Sequence, residues 1–166
     1  NGILWLGLYK DGILTCDPST EKITRIELED KKADICCFYE ENNKIWIGTQ
    51  NGLYSYQNGK IAEEKGINEQ LTDIMIHGIQ RDRQGKLWLG TFGKGLIVFS
   101  PEGKRTMRFD TSNGMGSNAV NSLYIDSNGS VWSVGDNTSS QLALQNAGDK
   151  INVAQMIGAE PTILVK

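Results

Sequence analysis

Gly85-Lys86-Leu87-Trp88-Leu89-Gly90-Thr91-Phe92-Gly93-Lys94-Gly95-Leu96 decides the fold, because altered copies of it run along the chain. Gly2-Ile3-Leu4-Trp5-Leu6-Gly7, Lys44-Ile45-Trp46-Ile47-Gly48-Thr49 and Gly129-Ser130-Val131-Trp132-Ser133-Val134-Gly135 are the others, and together the copies hold all 4 tryptophans. The tryptophans lie 41, 42 and 44 residues apart. That period is the length of one four-stranded propeller blade. The fold class is therefore all-β, a β-propeller of four repeats of about 42 residues.

Working outward from the tryptophans, each complete copy begins with an inner strand whose anchors are spaced three and three. These are Ile35…Phe38…Glu41, Ile76…Ile79…Asp82 and Val120…Leu123…Asp126. Asp82-Arg83-Gln84-Gly85 and Asp126-Ser127-Asn128-Gly129 then turn the chain back. The Asp carboxylate can accept backbone N–H groups there, while Gly supplies the left-handed position of a three-residue hairpin loop. Glu40-Glu41-Asn42-Asn43 is a looser version, with Asn as the next best left-handed residue. The tryptophan strands are apolar without alternation, as in strands buried on both faces. The Gly that follows each suits close backbone approach. Third strands follow at 13–16, 53–56 and 96–99, and outer strands at 22–28, 60–64 and 104–109. The outer ones are charged and alternating, which resists edge-to-edge pairing.

Blade boundaries fall at 1–32, 33–70, 71–113 and 114–158. The first blade lacks its inner strand, because the sequence begins at its hairpin. In the fourth copy Ser133-Val134-Gly135 delays the Gly by one residue. Residues 141–145 and 150–155 are read as strands there, with two short helices as the alternative. Residues 159–166 are a closing or next-blade strand; in a chain that closes on itself, Thr162–Val165 is expected to pair with Ile3–Leu6.

The composition fits a globular protein, 39% hydrophobic and 22% charged over 166 residues. Seventeen Lys and Arg against 20 Asp and Glu, with signs interspersed, give a net charge of −3. A nucleic-acid partner is disfavoured on that balance. No apolar run approaches the roughly 18 residues of a membrane span. The sequence starts inside a motif, with neither an initiator Met nor a signal peptide, as expected of a piece of a longer chain. Cys16, Cys36 and Cys37 are an odd number, read as small buried side chains, Cys36 and Cys37 pointing to opposite faces of a strand. One His and no Cys-x-x-Cys give too few ligands for a metal centre, and no cofactor is expected.

Gly-x-Leu-Trp-Leu-Gly-Thr-x-Gly-x-Gly-Leu, preceded by Asp-x-x and an Ile-x-x-Ile strand, resembles the two component regulator propeller repeat. That repeat is typical of the extracytoplasmic sensor regions of bacterial hybrid histidine kinases. The resemblance covers residues 1–132. It implies a larger, seven-bladed ring, usually two in tandem before a β-sandwich, a membrane span and a kinase. It also implies oligosaccharide ligands as in several members, a periplasmic or extracytoplasmic setting, and room for a dimer through the parent chain. Val131-Trp132-Ser133-Val134-Gly135-Asp136-Asn137 followed by Gln141-Leu142 is similar instead to repeats of the regulator-of-chromosome-condensation type, with Ser140 and Ala143 where that family has Gly. This keeps a protein-interaction reading alive.

The four tryptophans could stack on sugars, but recurrence in every copy argues for packing between blades, each indole N–H finding a partner. Functional residues are better sought where the copies differ. His77 follows the first anchor of its inner strand, where Cys36 and Asn121 stand in the other copies. With Asp73 and Asn118 from the loops that enter the inner strands, His77 and Asn121 are the candidate ligand-binding residues. No catalytic residue is assigned, since neither Gly-x-Ser-x-Gly nor His-Glu-x-x-His is present. The expected function is a non-enzymatic sensor propeller that binds a small molecule or a glycan fragment. A propeller lyase relying on His77 and a protein-interaction propeller are the alternatives.

Overall fold

The computed structural model describes residues 2–28, 33–71, 73–113, 115–135 and 153–157, the last by backbone alone. The chain divides into two compact units, Asn1–Ile76 and His77–Lys166. In the first, β1 (Leu4–Gly7), β2 (Ile13–Asp17) and β3 (Lys22–Ile26) form a three-stranded antiparallel sheet. β4 (Ile35–Glu41), β5 (Lys44–Thr49), β6 (Gly52–Gln57) and β7 (Lys60–Glu63) form a four-stranded one, followed by the short helix α1 (Lys65–Asn68). The next sheet holds β8 (Ile76–Arg81), β9 (Leu87–Thr91), β10 (Gly95–Phe99) and β11 (Arg105–Phe109). β12 (Val120–Ile125), β13 (Val131–Gly135) and β14 (Val153–Ile157) make the last. Each sheet is a meander in chain order, the blade architecture of a β-propeller.

The strands fall where the repeat places them, within a few residues at the ends. β8 starts at its first anchor, Ile76, and α1 lies between the outer strand β7 and the loop that holds Asp73. Residues 141–145 and Thr162–Val165 lie outside the described residues, as do Asp136, Asn137, Gln141 and Leu142 of the second resemblance. β14 overlaps the strand read over 150–155 and pairs with β13 from Val131↔Ile157 to Gly135↔Val153.

One contact recurs between consecutive strand groups and explains the Gly two residues after Trp5, Trp46 and Trp88. A Cβ added at Gly7 would lie 2.6 Å from Ile35 Cβ, and one at Gly48 2.7 Å from the Ile76 carbonyl oxygen. One at Gly90 would lie 2.7 Å from Val120 Cγ1. Each of these glycines leaves room for the first anchor of an inner strand, and any side chain there would push that strand away. The anchors are correspondingly buried, Ile76 at 0% and Val120 at 1% exposure. Around Val120, Trp88, Leu96, Val98, Leu123 and Val131 complete one apolar cluster. Ile13, Leu28, Ala33, Ile45 and Ile47 form another in the first unit, with Trp5 and Phe38 packed against it. Trp5 meets Tyr56 edge-on at 5.1 Å, and Trp88 stacks on Phe109 at 6.0 Å. The tryptophans pack in the blades, as their recurrence requires.

β1 departs from the expectation of burial on both faces. Leu4 and Leu6 are 52% and 42% exposed, whereas Ile45 and Ile47, at the same positions of the motif, are 8% and 0% exposed. The difference lies in the neighbours: β5 runs between β4 and β6, while among the described residues β1 is flanked by β2 alone. Cys36 and Cys37 also depart from simple alternation, because the β4–β5 ladder shifts register between Ile35 and Cys37.

The turns explain how each tryptophan is held. Gly85 and Gly129 have φ of 79° and 85°, the left-handed conformation that lets the three-residue loop close. Asp82 Oδ1 accepts from the N–H groups of Gln84 and Lys86 at 3.0 and 2.8 Å, and its Oδ2 accepts the Trp88 indole N–H at 2.9 Å. Asp126 repeats this with Asn128 at 2.8 Å, Ser130 at 2.9 Å and the Trp132 indole at 2.9 Å. The β4–β5 turn is tighter than read: Glu41 pairs with Lys44 across a two-residue loop, with Asn42 and Asn43 both left-handed at φ 49° and 62°. Glu41 takes the indole of Trp46 at a longer 3.4 Å.

The indole of Trp132, followed by the backbone N–H of Ser130, holds the Asp126 carboxyl below its ordinary value of 3.8. A depressed carboxyl stabilises the fold above the unfolded value and loses that contribution as the pH falls through the folded one. Stability measured by denaturant between about pH 5 and 2 should therefore fall more steeply for the wild type than for Asp126→Asn. Parallel curves would show that the charge on Asp126 does not support the fold.

Candidate ligand site

In the second unit, the start of β8, the end of β9 and the start of β12 lie together. Gly78 brings this about: a Cβ there would sit 2.9 Å from Leu123 Cβ and 3.6 Å from the Ser122 carbonyl carbon. The residues just before this contact, His77 and Asn121, therefore stand at the same end of their strands. Phe92, past the end of β9, bridges to Ala119. Its ring lies 5.8 Å from the His77 imidazole, inclined by 30°, and Phe92 remains 55% exposed.

The loops behind this pair are tied down by hydrogen bonds. Thr91 Oγ1, fully buried, donates to the Gly95 carbonyl at 2.8 Å and accepts from the Lys94 N–H at 3.2 Å. Thr49 makes the same bonds with Gly52 and Asn51 in the first unit. The Asn118 carbonyl accepts from the N–H groups of Gly93 and Gly95 at 2.8 and 2.9 Å, and its side-chain oxygen accepts from the Thr111 N–H at 2.8 Å. Asn118 thus holds one loop against the other, and its amide oxygen is already engaged. Asn121 is the extra residue of a bulge, since the β12–β13 register shifts between Val120 and Ser122, and its side chain is exposed. Bulges re-aim side chains in this way.

Asp73 belongs to the first unit. It is left-handed, at φ 48°, and with Asn51, Glu63, Lys65, Asn68 and Glu69 it lines a cleft of about 480 Å³. Asn68 is committed to structure there, bonding both the N–H and the carbonyl of Leu53 at 2.9 and 3.0 Å.

Phe92 is the site residue that sequence reasoning passed over, because it filled an unassigned position of the motif. Its signal was present: the equivalent residue after Thr49 is the polar Gln50, and an aromatic ring on a turn needs a reason. Burial pushes the His77 imidazole below its ordinary value of 6.5, so at neutral pH the ring is uncharged, with one nitrogen donating and one accepting. Cys37, at the equivalent inner-strand end in the first unit, donates to the Ile76 carbonyl at 3.5 Å, and burial pushes its thiol up to about 12. Such a thiol is inert as a nucleophile. Among the described residues no group of three or more His, Cys, Asp and Glu could hold a metal ion, and no helix is long and apolar enough to cross a membrane. The His77 end presents an exposed ring face beside an imidazole, with the exposed Asn121 near the start of β12, groups of the kind that meet the apolar faces and hydroxyl groups of small ligands.

An NMR titration of His77 should give a value below 6.5 in the wild type and a higher one in Phe92→Ala, which uncovers the imidazole. An unchanged value would mean that Phe92 does not shield the ring.

Residues 70–93, which include His77, the Asp82 turn, Trp88 and Phe92, match the two component regulator propeller family. Histidine kinase P4 of Formosa agariphila is 28% identical over 126 residues, 69% of this chain and 9% of the kinase. The extracellular domain of a hybrid two component system from B. thetaiotaomicron is 31% identical, with a TM-score of 0.70 over 81% of this chain and 19% of that one. A catalytically inactive virginiamycin B lyase from Staphylococcus aureus, 14% identical with a TM-score of 0.60 over 94% of this chain and 60% of the lyase, shares the fold alone. The chain thus spans a small part of the two component proteins it matches. It carries a match to the two component regulator propeller repeat on a β-propeller fold, and it is similar to the extracellular domain of a hybrid two component system.

Proposed function

We propose that this chain is the ligand-sensing part of a two component signalling protein, set outside the cytoplasm, and that it recognises a glycan fragment at the His77 end of its second unit. The observation that carries this reading is the exposed Phe92 ring held beside His77 on hydrogen-bonded loops. A sugar ring offers an apolar face to Phe92 and hydroxyl groups to His77 and Asn121. The rigid loops lower the entropy lost on binding. Binding there would bias the blades and pass a conformational signal to a kinase elsewhere in the longer protein. The repeat match over this stretch and the extracellular setting of the 31% identical relative support the same reading.

Binding of an oligosaccharide array, followed by calorimetry on any hit, tests it. Phe92→Ala should weaken a bound glycan by about tenfold or more, equivalent to about 1.4 kcal/mol, while leaving the denaturation midpoint nearly unchanged. An array without a hit, together with a protein captured in pull-down, would replace this reading by a protein-interaction one. Polysaccharide cleavage that disappears in His77→Ala would replace it by a lyase.

A further inference from the structure

Phe92 has a counterpart in the first unit. Gly7-Leu8-Tyr9-Lys10-Asp11-Gly12, joining β1 to β2, aligns residue for residue with Gly90-Thr91-Phe92-Gly93-Lys94-Gly95, joining β9 to β10, and sets Tyr9 in the place of Phe92. The turn from β5 to β6 is one residue shorter and carries Gln50 there. The two longer turns are held alike. The residue after the ring is left-handed in both, Lys10 at φ 52° and Gly93 at φ 95°. Its N–H donates to a residue just ahead of the following inner strand, from Lys10 to Asp34 Oδ1 at 3.0 Å and from Gly93 to the Asn118 carbonyl at 2.8 Å. The carbonyl before the closing glycine takes an arginine of the outer strand, Arg25 on Asp11 and Arg108 on Lys94, each at 3.0 Å. A turn pinned at both points holds its ring out in solvent and loses little entropy when the ring is covered. Tyr9 is 76% exposed and Phe92 55%. Phe92 keeps that exposure although β8 lies beside its strand, so an outward ring is a property of the turn and not of a missing neighbour.

We infer that Tyr9 is a second stacking platform for a saccharide ring, an inference that rests on the reading of Phe92 as the first. The apolar face of the sugar lies on the phenol ring. Lys10, whose ammonium sits 4.8 Å from the centroid of that ring, donates to the hydroxyl groups at the sugar's rim. The charges on this turn and its ties cancel: Lys10 and Arg25 stand against Asp11 and Asp34, with Arg25 paired to Asp11. The sugar it takes is therefore a neutral one.

The test titrates the whole chain with cellotriose, with maltotriose and with mannitol, which has the hydroxyl groups but no ring face, and follows the Tyr9 and Phe92 ring protons by NMR. One or both trisaccharides should shift the Tyr9 ring, and mannitol should not. Tyr9→Ala should weaken the response of the Lys10 amide to that sugar by about tenfold, with the Phe92 shifts and the denaturation midpoint unchanged. Lys10→Gly, which keeps the left-handed position comfortable, should weaken it less than Tyr9→Ala does. Shifts at Phe92 with Tyr9 silent would overturn this inference and leave the His77 site standing. Shifts at Tyr9 with Phe92 silent would keep the Tyr9 platform and remove the other. Silence at both rings would overturn both, and an equal response to mannitol would overturn stacking on Tyr9.

Discussion

A carboxylate at the end of an inner strand, holding the indole of the tryptophan on the next strand, is the interaction on which the second, third and fourth blades depend. In Asp82 and Asp126 one oxygen closes the turn onto two backbone N–H groups, and the other takes the indole at 2.9 Å. A single side chain therefore fixes both the hairpin and the direction of the largest residue in the blade. The glycine two residues after the tryptophan presents bare backbone to the incoming inner strand, as at Gly48 and Gly90, where the indole is held, and at Gly7. Charge-assisted bonds of this kind are stronger than neutral ones and leave no buried indole donor unpaired. The third blade-forming turn, through Glu41, shows the tolerance of the scheme. A longer acid and a two-residue Asn42-Asn43 loop reach the same indole less closely, at 3.4 Å.

Much of this was legible in the sequence because it repeats. The tryptophan period gave the blade length, and Asp-x-x-Gly gave the turn and its left-handed glycine, both of which follow from local chemistry. Exposure of Leu4 and Leu6 was not legible from their own residues, since the same motif is buried in β5 and exposed in β1 according to whether an inner strand lies alongside among the described residues. The bulges at Cys36 and Asn121 were hidden for a related reason, being properties of a pair of strands rather than of one. His77 and Asn121 could be singled out because they vary where their flanks repeat. Phe92 could not, since the motif left its position undefined, and only the ring contact with His77 gives it meaning. Asn118, named from its loop position, also ties one loop to another through its carbonyl and its side-chain oxygen, which the sequence did not show.

Repetition and function thus occupy different positions. Trp46, Trp88 and Trp132 and the acids that hold them serve the scaffold, and the copies diverge at the strand ends. This division is why a fold shared with a lyase at 14% identity carries no chemistry with it.

The clasp can be measured directly by a double-mutant cycle on Asp82→Asn and Trp88→Phe, with stability read from denaturant unfolding. If the carboxylate and the indole act as one unit, the two substitutions should couple by about 1–3 kcal/mol. Additive effects, within about 0.3–0.5 kcal/mol, would contradict a blade organised by that bond.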